Sequence, residues 1–511
     1  MWLHPFLPQQ ALFKAYDIRG DITLFSDDFL WALGQGFARL FVQHGGGRVA
    51  IGYDVRKFSP RMAAFIAYHC HVQGLRIDWL GQVTTPIMAH AASCQDGHGV
   101  MVTASHSPRH VHGVKWLCAH HSPSAEAIGA LFDTLADVPA YVPTAADLAA
   151  VQAFATQLCQ TDATVFNAYQ ASMTQAFARI QHACYSACTP RHAPLRLVID
   201  CMNGATSRFA ERLFSGFGYD CQMLNAMPDG SFPKGNPDPA EPARLAELSH
   251  AVVTSGADMG LAFDGDGDRV MVIDGHGRMI APDNLLYLLA QIALAERPTF
   301  DGVESTAEVM FDVKCSHHVP TLLAAQGALP VMQKTGSSLM RQALQRRHRA
   351  SVFAGELSGH FLFNDGYFVL YDDAMYAALR LLNWLRYQPV TFAELLASLP
   401  VSVSTADMYL PIASAEYGQR LLNQLLAAAQ KPFSRLRRAF AVREVSTVDG
   451  LRLDFTHGVG ILRRSNTGNY LTVRFCGDTL ADLQHAQRVF SRLCASFDDD
   501  LAAQVAQIQP V

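Results

Sequence analysis

The 511-residue sequence lacks the marks of a membrane or secreted protein. It has no uninterrupted apolar run of about 18 residues, the length that a transmembrane helix needs. Residues 1–10 contain neither a basic segment nor a sustained apolar one, so a secretory signal is not expected. The 11 cysteines are an odd number without a C-x₂-C pair, which indicates reduced thiols. We therefore expect a cytoplasmic protein without a membrane partner.

Strong charge of one sign is also lacking. The formal net charge is −5, whereas nucleic-acid binding usually needs a basic face, so no nucleic-acid partner is expected. Histidine, by contrast, is frequent, with 21 residues. Several are clustered: His110 with His112, His120 with His121, and His317 with His318. We interpret these clusters as solvated loop histidines, in preference to a nickel or zinc site.

Strand-like apolar runs alternate with amphipathic helical segments along the chain. Arg48–Gly52 and Met259–Phe263 are examples of the runs, and Pro60–Gln73 and Ser338–Arg347 of the helices. This alternation predicts α/β domains with mixed, mostly parallel sheets. At roughly 100–200 residues per domain, the length predicts three to five domains. Functional loops are then expected past the carboxyl ends of strands.

The motif Asp264-Gly-Asp-Gly-Asp-Arg269 follows the apolar run Leu261–Phe263. Its glycines allow a tight bend, so one ion can accept an oxygen from each of Asp264, Asp266 and Asp268. All-carboxylate ligation favours Mg²⁺ or Ca²⁺. A calcium loop of the EF-hand type needs Gly at its sixth position and Glu at its twelfth, and the sequence has neither. We predict a metal site, because three uncompensated carboxylates would repel one another.

Three further segments carry chemistry that is weak evidence when each is taken alone. Thr103-Ala-Ser-His-Ser-Pro108 places a serine on a tight loop, followed by Lys115. Glu356 and Ser358 alternate, so both can face one side of an extended segment and bind sugar hydroxyls. Arg463-Arg-Ser-Asn-Thr467 offers donors to an anion. Each segment also has an interpretation without a functional role: an ordinary loop for the serine segment, a capped turn for the segment with Glu356 and Ser358, and a basic turn for the arginine segment.

Together, in this order, the motifs resemble the α-D-phosphohexomutase family, and within it the bacterial phosphomannomutase/phosphoglucomutase group. The resemblance runs from Phe13-Lys-Ala-Tyr-Asp-Ile-Arg-Gly20 to Tyr470-Leu-Thr-Val-Arg-Phe475. It implies three related α/β domains and a C-terminal α+β domain around a central cleft. We place these at residues 1–189, with an insertion at about 119–190, and at 190–277, 278–399 and 400–511.

The resemblance also implies a role for each motif residue. Ser105 is expected to be the phosphoserine and to ligate Mg²⁺ together with the three aspartates. The residues expected to line the transfer site are Arg19, His106, Lys115 and Arg269. The residues expected to contact substrate are Tyr16, Lys314, Glu356, Ser358, His360, Arg463, Ser465, Asn466 and Thr467; the last four would hold the phosphate that is not being transferred.

The implied activity is interconversion of hexose 1-phosphate and hexose 6-phosphate through glucose 1,6-bisphosphate or mannose 1,6-bisphosphate. The Ser-Asn-Thr sequence at 465–467 and Leu357 favour mannose and glucose over glucosamine. The chain departs from the family pattern at Ser107, Ser337, Gly468 and His112. The alternatives are a phosphoglucosamine mutase and a non-catalytic sugar-phosphate-binding homologue. We expect a monomer or a weak homo-oligomer.

Overall fold

The computed structural model describes residues 4–137, 141–158, 162–297, 306–347, 350–430, 440–464 and 470–510. Four sheets follow one another along the chain, each with its own helices. Ser465, Asn466 and Thr467 lie outside the described residues. None of the helices in the described ranges combines the length and apolar character that crossing a bilayer requires.

The first three sheets share one plan. In each, three neighbouring parallel strands are followed by an antiparallel fourth, in the spatial order second, first, third, fourth. The first sheet adds β1 (Ile18–Asp21) beside its antiparallel strand. The other strands are β2 (Arg48–Tyr53), β3 (Arg76–Gln82), β4 (Gly99–Val102), β5 (Val111–Leu117), β6 (Arg196–Asp200), β7 (Asp220–Leu224), β8 (Met259–Phe263), β9 (Val270–Asp274), β10 (Glu308–Asp312), β11 (Leu329–Gln333), β12 (Ser351–Gly355) and β13 (Phe361–Phe363).

The fourth sheet is antiparallel throughout. Its strands are β14 (Val403–Ser404), β15 (Met408–Pro411), β16 (Glu444–Ser446), β17 (Leu451–Asp454), β18 (Gly458–Arg464) and β19 (Tyr470–Gly477). Both β14 and β15 pair with β19, at different positions along it. An amphipathic helix after the sheet buries one face against it, so this domain is of the α+β type.

The helices cover the sheets and connect their strands. Those before the fourth sheet are α1 (Asp27–Gln43), α2 (Ser59–Val72), α3 (Thr85–Ser93), α4 (Ala125–Thr134), α5 (Ala145–Leu158), α6 (Asp162–Tyr185), α7 (Ala210–Gly216), α8 (Ala246–Ser255), α9 (Pro282–Ala295), α10 (His318–Ala325), α11 (Ser337–Arg346), α12 (Ala374–Leu385) and α13 (Phe392–Ala397). The fourth domain has α14 (Ala415–Gln430), α15 (Leu480–Cys494) and α16 (Asp499–Ala506). The predicted insertion contains α4, α5 and α6.

Three of the predicted functional loops, residues 103–108, 264–269 and 355–360, occupy equivalent positions in the three related sheets. Each follows the third strand, β4, β8 or β12, and leads into the antiparallel fourth strand. These third strands are buried along their whole length, as expected for central strands covered on both faces. The apolar runs therefore fix where each polar loop begins. The predicted domain boundaries remain predictions; each falls between two of the sheets.

Candidate active site

A cavity of about 940 Å³ is lined by residues of all four domains. The predicted site residues on its wall are Tyr16, Arg19, Ser105, His106, Lys115, Asp268, Arg269, Lys314, Glu356, Ser358, His360 and Arg463. Asp264 and Asp266 are fully buried and contact Ser105 and Lys115 on the wall. The structure thus brings together every predicted site residue that it describes.

The serine loop is held in an unusual backbone conformation. Ser105 has a φ of 51°, in the left-handed region that few non-glycine residues adopt. Its amide donates a hydrogen bond of 2.9 Å to Thr103 Oγ1. The buried guanidinium of Arg56 donates to the carbonyl oxygens of Ser105 (2.9 Å) and Ser107 (2.6 Å). These contacts compensate the strain and fix the direction of the Ser105 side chain.

The Ser105 hydroxyl lies between the first and second domains. It donates a hydrogen bond of 2.6 Å to Asp264 Oδ2. On its other side, His106 Nδ1 lies 3.2 Å from Ser105 Oγ. A carboxylate and an imidazole therefore both contact the predicted nucleophile, within the reach that proton transfer requires.

The aspartate loop depends on its glycines. A Cβ at Gly265 would lie 2.5 Å from the Ser105 carbonyl oxygen, so only glycine permits the two loops to approach this closely. Gly267 has a φ of +79°. The turn directs three successive amides, from Gly267 to Arg269, to Asp264 Oδ1 at 3.0, 3.1 and 3.2 Å. The carboxylates consequently converge beside Ser105.

Lys115 pairs with two carboxylates of the aspartate loop. Its Nζ donates to Asp266 Oδ2 at 2.8 Å and to Asp268 Oδ2 at 2.5 Å. Burial alone lowers the pKa of Lys115, but the Asp266 and Asp268 carboxylates outweigh burial and raise it. The pKa of Asp264 is raised by burial and then by the charges of Asp268 and Asp266. The positive charges of Arg269 and Lys115 lower the pKa of Asp264 but do not offset burial and the neighbouring carboxylates, so the three carboxylates remain short of positive charge.

The three aspartates fit a divalent cation. One carboxylate oxygen from each lies within 4.8 Å of the others, and all three side chains are buried. Asp266 Oδ1 and Asp268 Oδ1 are buried, and neither accepts a hydrogen bond from any described residue. Buried acceptors without partners are costly unless a cation is bound. An all-oxygen donor set suits Mg²⁺.

The loop after β12 lies beside the aspartate loop, where the Val270 amide donates to the Gly359 carbonyl oxygen at 3.1 Å. Glu356 accepts hydrogen bonds from the Gly336 amide and from Ser358 Oγ, the latter at 2.9 Å. Burial raises the pKa of Glu356. His360 Nε2 accepts a hydrogen bond of 2.9 Å from Arg269 Nε, which joins the third domain to the second. A carboxylate and a hydroxyl are thus presented together, as recognition of adjacent sugar hydroxyls requires.

Two cationic groups line the cavity where the third and fourth domains meet. Lys314 Nζ donates to Asp407 Oδ2 at 2.6 Å, joining the third and fourth domains. Arg463 Nε donates to Asp449 Oδ2 at 2.8 Å. Arg463 Nη2 is buried and donates no hydrogen bond to any described residue. This guanidinium therefore retains a donor for an anion in the cavity.

Some supporting residues escaped the sequence analysis. Arg56 and Asp54 form a fully buried ion pair, and Asp54 also accepts from Thr103 Oγ1 at 2.8 Å. In the third domain, Asp372 pairs with Arg341 and lies 2.9 Å from His360 Nδ1. Asp54 follows the carboxyl end of β2, a position that could have identified it. Asp372 and Arg341 belong to no motif.

Comparison with known proteins decides the family. Models of the three α/β/α domains of phosphoglucomutase/phosphomannomutase match residues 10–135, 174–277 and 281–402. A phosphoglucomutase of Neisseria gonorrhoeae is 32% identical over 95% of this chain and 97% of its own. The chain belongs to the phosphoglucomutase/phosphomannomutase family. A phosphomannomutase/phosphoglucomutase of Pseudomonas syringae pv. tomato is likewise 32% identical, over 95% of both chains.

This phosphoglucomutase/phosphomannomutase family member is similar to a solved structure over its whole fold. The crystal structure of a phosphoglucomutase/phosphomannomutase family protein from Burkholderia thailandensis covers 98% of this chain and 99% of its own, with a TM-score of 0.79 and 29% identity. The predicted family, the isomerase class, and the fold of three α/β domains plus a C-terminal domain are thereby confirmed.

Proposed function

We propose that this chain interconverts the 1- and 6-phosphates of glucose and mannose by phosphoryl transfer through Ser105. The observation that carries the proposal is the 2.6 Å hydrogen bond from Ser105 Oγ to Asp264, beside two further buried aspartates. A hydroxyl in that position can carry a phosphoryl group whose charge a metal neutralises. The names of the similar bacterial proteins support the choice of glucose and mannose.

The fit of the aspartate loop supports Mg²⁺ as the cation, held by Asp264, Asp266, Asp268 and an oxygen of the Ser105 group. When bound, Mg²⁺ supplies charge neutralisation to the phosphoryl group. Positioning and charge neutralisation dominate phosphoryl transfer, so Arg19, Lys115 and Arg269 contribute through their charge and donors. Arg19 already donates to Ser107 Oγ, at 3.3 Å.

The first transfer exchanges one P–O bond for another. A hydroxyl oxygen of the bound hexose monophosphate bonds to phosphorus, the bond from phosphorus to Ser105 Oγ breaks, and a hexose 1,6-bisphosphate forms. The hydroxyl loses a proton and Ser105 gains one, so the step balances. Lys115 is our first choice to relay the hydroxyl proton and His106 our second. Since the Asp266 and Asp268 carboxylates outweigh burial and raise the pKa of Lys115, the lysine holds a proton, and it takes up the hydroxyl proton only as it passes one of its own to a carboxylate that it contacts. His106, at 3.2 Å from Ser105 Oγ, is placed to exchange the serine proton.

The second transfer uses the other phosphate of the bisphosphate. The intermediate turns in the cavity, and its second phosphate returns to Ser105. Glu356 and Ser358 then contact sugar hydroxyls in both orientations, and Arg463 with Ser465, Asn466 and Thr467 binds whichever phosphate is not reacting. Tyr16, Lys314 and His360 line the same sugar path. The volume of about 940 Å³ leaves space for this reorientation.

A substrate panel tests the proposal. The protein is assayed with the 1-phosphates of glucose, mannose and glucosamine, each with Mg²⁺ and a trace of glucose 1,6-bisphosphate. We expect faster turnover of glucose and mannose 1-phosphates than of glucosamine 1-phosphate. Preference for glucosamine 1-phosphate would indicate a phosphoglucosamine mutase. Tight binding of the bisphosphate without turnover of any sugar would indicate a non-catalytic homologue. The four departures from the family pattern, at Ser107, Ser337, Gly468 and His112, motivate that alternative.

A further inference from the structure

Two adjacent histidines and an aspartate from different domains meet away from the active site. His317 Nε2 lies 3.0 Å and His318 Nε2 2.8 Å from the same atom, Asp478 Oδ1. The two imidazole rings have centroids 4.1 Å apart. None of the three residues lines the cavity described above. The histidine pair begins α10 in the third domain, and Asp478 follows β19 in the fourth.

Hydrogen bonding accounts for only one of the two histidine contacts in this cluster. His317 Nε2 is hydrogen-bonded to Asp478 Oδ1. His318 Nε2 approaches the same oxygen, yet it is buried and hydrogen-bonds to no described residue. Two ring nitrogens and a carboxylate oxygen thus converge within 4.8 Å of one another. A cation among them can accept both nitrogen lone pairs and the carboxylate charge together.

A fourth residue orients the carboxylate. His457 Nδ1 lies 2.9 Å from Asp478 Oδ2, the oxygen that faces away from the histidine pair. The Asp478 amide donates to the His457 carbonyl oxygen, also at 2.9 Å. These two contacts direct Oδ1 toward His317 and His318. Hydrogen bonding to the second oxygen of a ligating carboxylate is typical of metal sites.

We propose that His317, His318 and Asp478 form a zinc site that links the third domain to the fourth. Two imidazoles and one carboxylate suit Zn²⁺, whereas Mg²⁺ and Ca²⁺ prefer all-oxygen sets. Three protein ligands leave the fourth tetrahedral position for water. His457 acts through the carboxylate as a positioning residue.

The site reinforces an existing contact between the two domains. The buried guanidinium of Arg452 in the fourth domain donates to the carbonyl oxygens of Val313 and Cys315, both at 2.6 Å. Those carbonyls lie four and two residues before His317. Zinc bound to His317, His318 and Asp478 therefore ties the start of α10 more firmly to the C-terminal domain. Binding is expected to raise the thermal midpoint of unfolding.

Zinc titration in excess Mg²⁺ tests the site. Metal-free protein is first given excess Mg²⁺, the cation proposed for the aspartate loop, and Zn²⁺ binding is then measured by competition with a chromogenic chelator. We expect one tight equivalent in the unaltered protein and its loss in the double variant His317→Asn/His318→Asn. His457→Ala should weaken binding about 10- to 100-fold. The same Zn²⁺ should raise the thermal midpoint only where it binds tightly.

The matched control is the double variant His120→Asn/His121→Asn. It removes another adjacent pair, one outside the metal-capable groups of the described residues. It should bind Zn²⁺ like the unaltered protein, and both double variants retain all the cysteines. Equal zinc stoichiometry and affinity in the two double variants would overturn the proposal, as would absence of tight binding in the unaltered protein. Neither result would affect the proposed mutase activity.

Discussion

The side chains of Ser105 and Asp264 meet although 159 residues separate them in sequence, and the serine hydroxyl donates to the carboxylate at 2.6 Å. Each lies on a loop that leaves the third strand of its own sheet. The glycine at 265 allows the loops to touch, since any Cβ there would meet the Ser105 carbonyl oxygen. One repeated topology thus brings together the hydroxyl that we propose as the phosphoryl acceptor and the carboxylates that we propose as metal ligands.

Replacing Asp266 by Asn should reduce turnover by about 100-fold or more, because the cation loses a charged ligand worth several kcal/mol in the transition state. The Mg²⁺ concentration needed for half-maximal rate should rise in the same variant. Both are measured by initial rates across a Mg²⁺ titration. Asp220→Asn, an exposed position in the same domain, is the control and should match the unaltered protein. Unchanged rate and Mg²⁺ dependence in Asp266→Asn would refute the metal assignment.

Replacing Arg56 by Met should impair both stability and turnover. Its guanidinium is fully buried against Asp54 and binds the carbonyls of the serine loop. Breaking a buried ion pair costs about 3–5 kcal/mol, which calorimetry would register as a lower unfolding midpoint.

Because Arg56 positions the Ser105 loop, kcat should fall in this variant with little change in KM. The control is Arg61→Met, which breaks an exposed pair with Asp27 worth about 1 kcal/mol or less. Arg56 would have no positioning role if kcat in Arg56→Met equalled that of the control at a temperature where both are folded.

Arg463→Lys should raise KM more than it lowers kcat. Arg463 lines the cavity and its Nη2 donor is buried without a described partner. A hydrogen bond from a charged group contributes about 1.5–3 kcal/mol, so KM should rise about 10- to 100-fold. Lysine keeps the charge but loses the forked donor. Arg464→Lys, at the next position, is the control and should leave KM unchanged. A KM equal to that of the control would mean that Arg463 does not bind the phosphate.

Acid should destabilise the first domain through His69. This side chain is 4% exposed and packs edge-on against Trp31, and burial lowers its pKa from 6.5 to about 4. The unfolded chain binds a proton near pH 6.5 and the folded chain does not, so stability present above that pH is lost as pH falls toward 4. The loss is at most about 3 kcal/mol.

His69→Leu should therefore reduce the fall in thermal midpoint between pH 7 and pH 5. His71→Leu, an exposed position near the end of the same helix, is the control and should keep the fall. Identical pH profiles for the two variants would show that His69 does not carry the effect.

The sequence predicted those parts of the site that local motifs specify. Asp264, Asp266 and Asp268 were identifiable because glycines and carboxylates alternate within six residues after one apolar run. Arg56 was missed because its role depends on carbonyl groups 49 and 51 positions away, which no local pattern encodes. Asp372 was missed for the same reason, because its partner Arg341 lies 31 positions away in sequence and contacts it only in the folded chain.

The histidine pair illustrates the same limit. Sequence alone favoured solvated loop histidines at His317 and His318, because their partner Asp478 lies 161 positions beyond His317. Only the packing of the third domain against the fourth brings the three together. The resemblance implied three related domains, but the strand order that their sheets share could not be predicted, because it is set by long-range pairing rather than by apolar periodicity.

Labelling of Ser105 tests the central claim most directly. Dephosphorylated protein is incubated with Mg²⁺ and glucose 1,6-bisphosphate carrying radioactive phosphate, and the labelled residue is located by peptide mapping. We predict about one phosphate per chain on Ser105, release of that label to added glucose 1-phosphate, and no label in Ser105→Ala. Ser107→Ala should keep the label, which distinguishes the two serines of the loop. Label on another residue, or normal turnover in Ser105→Ala, would contradict the account.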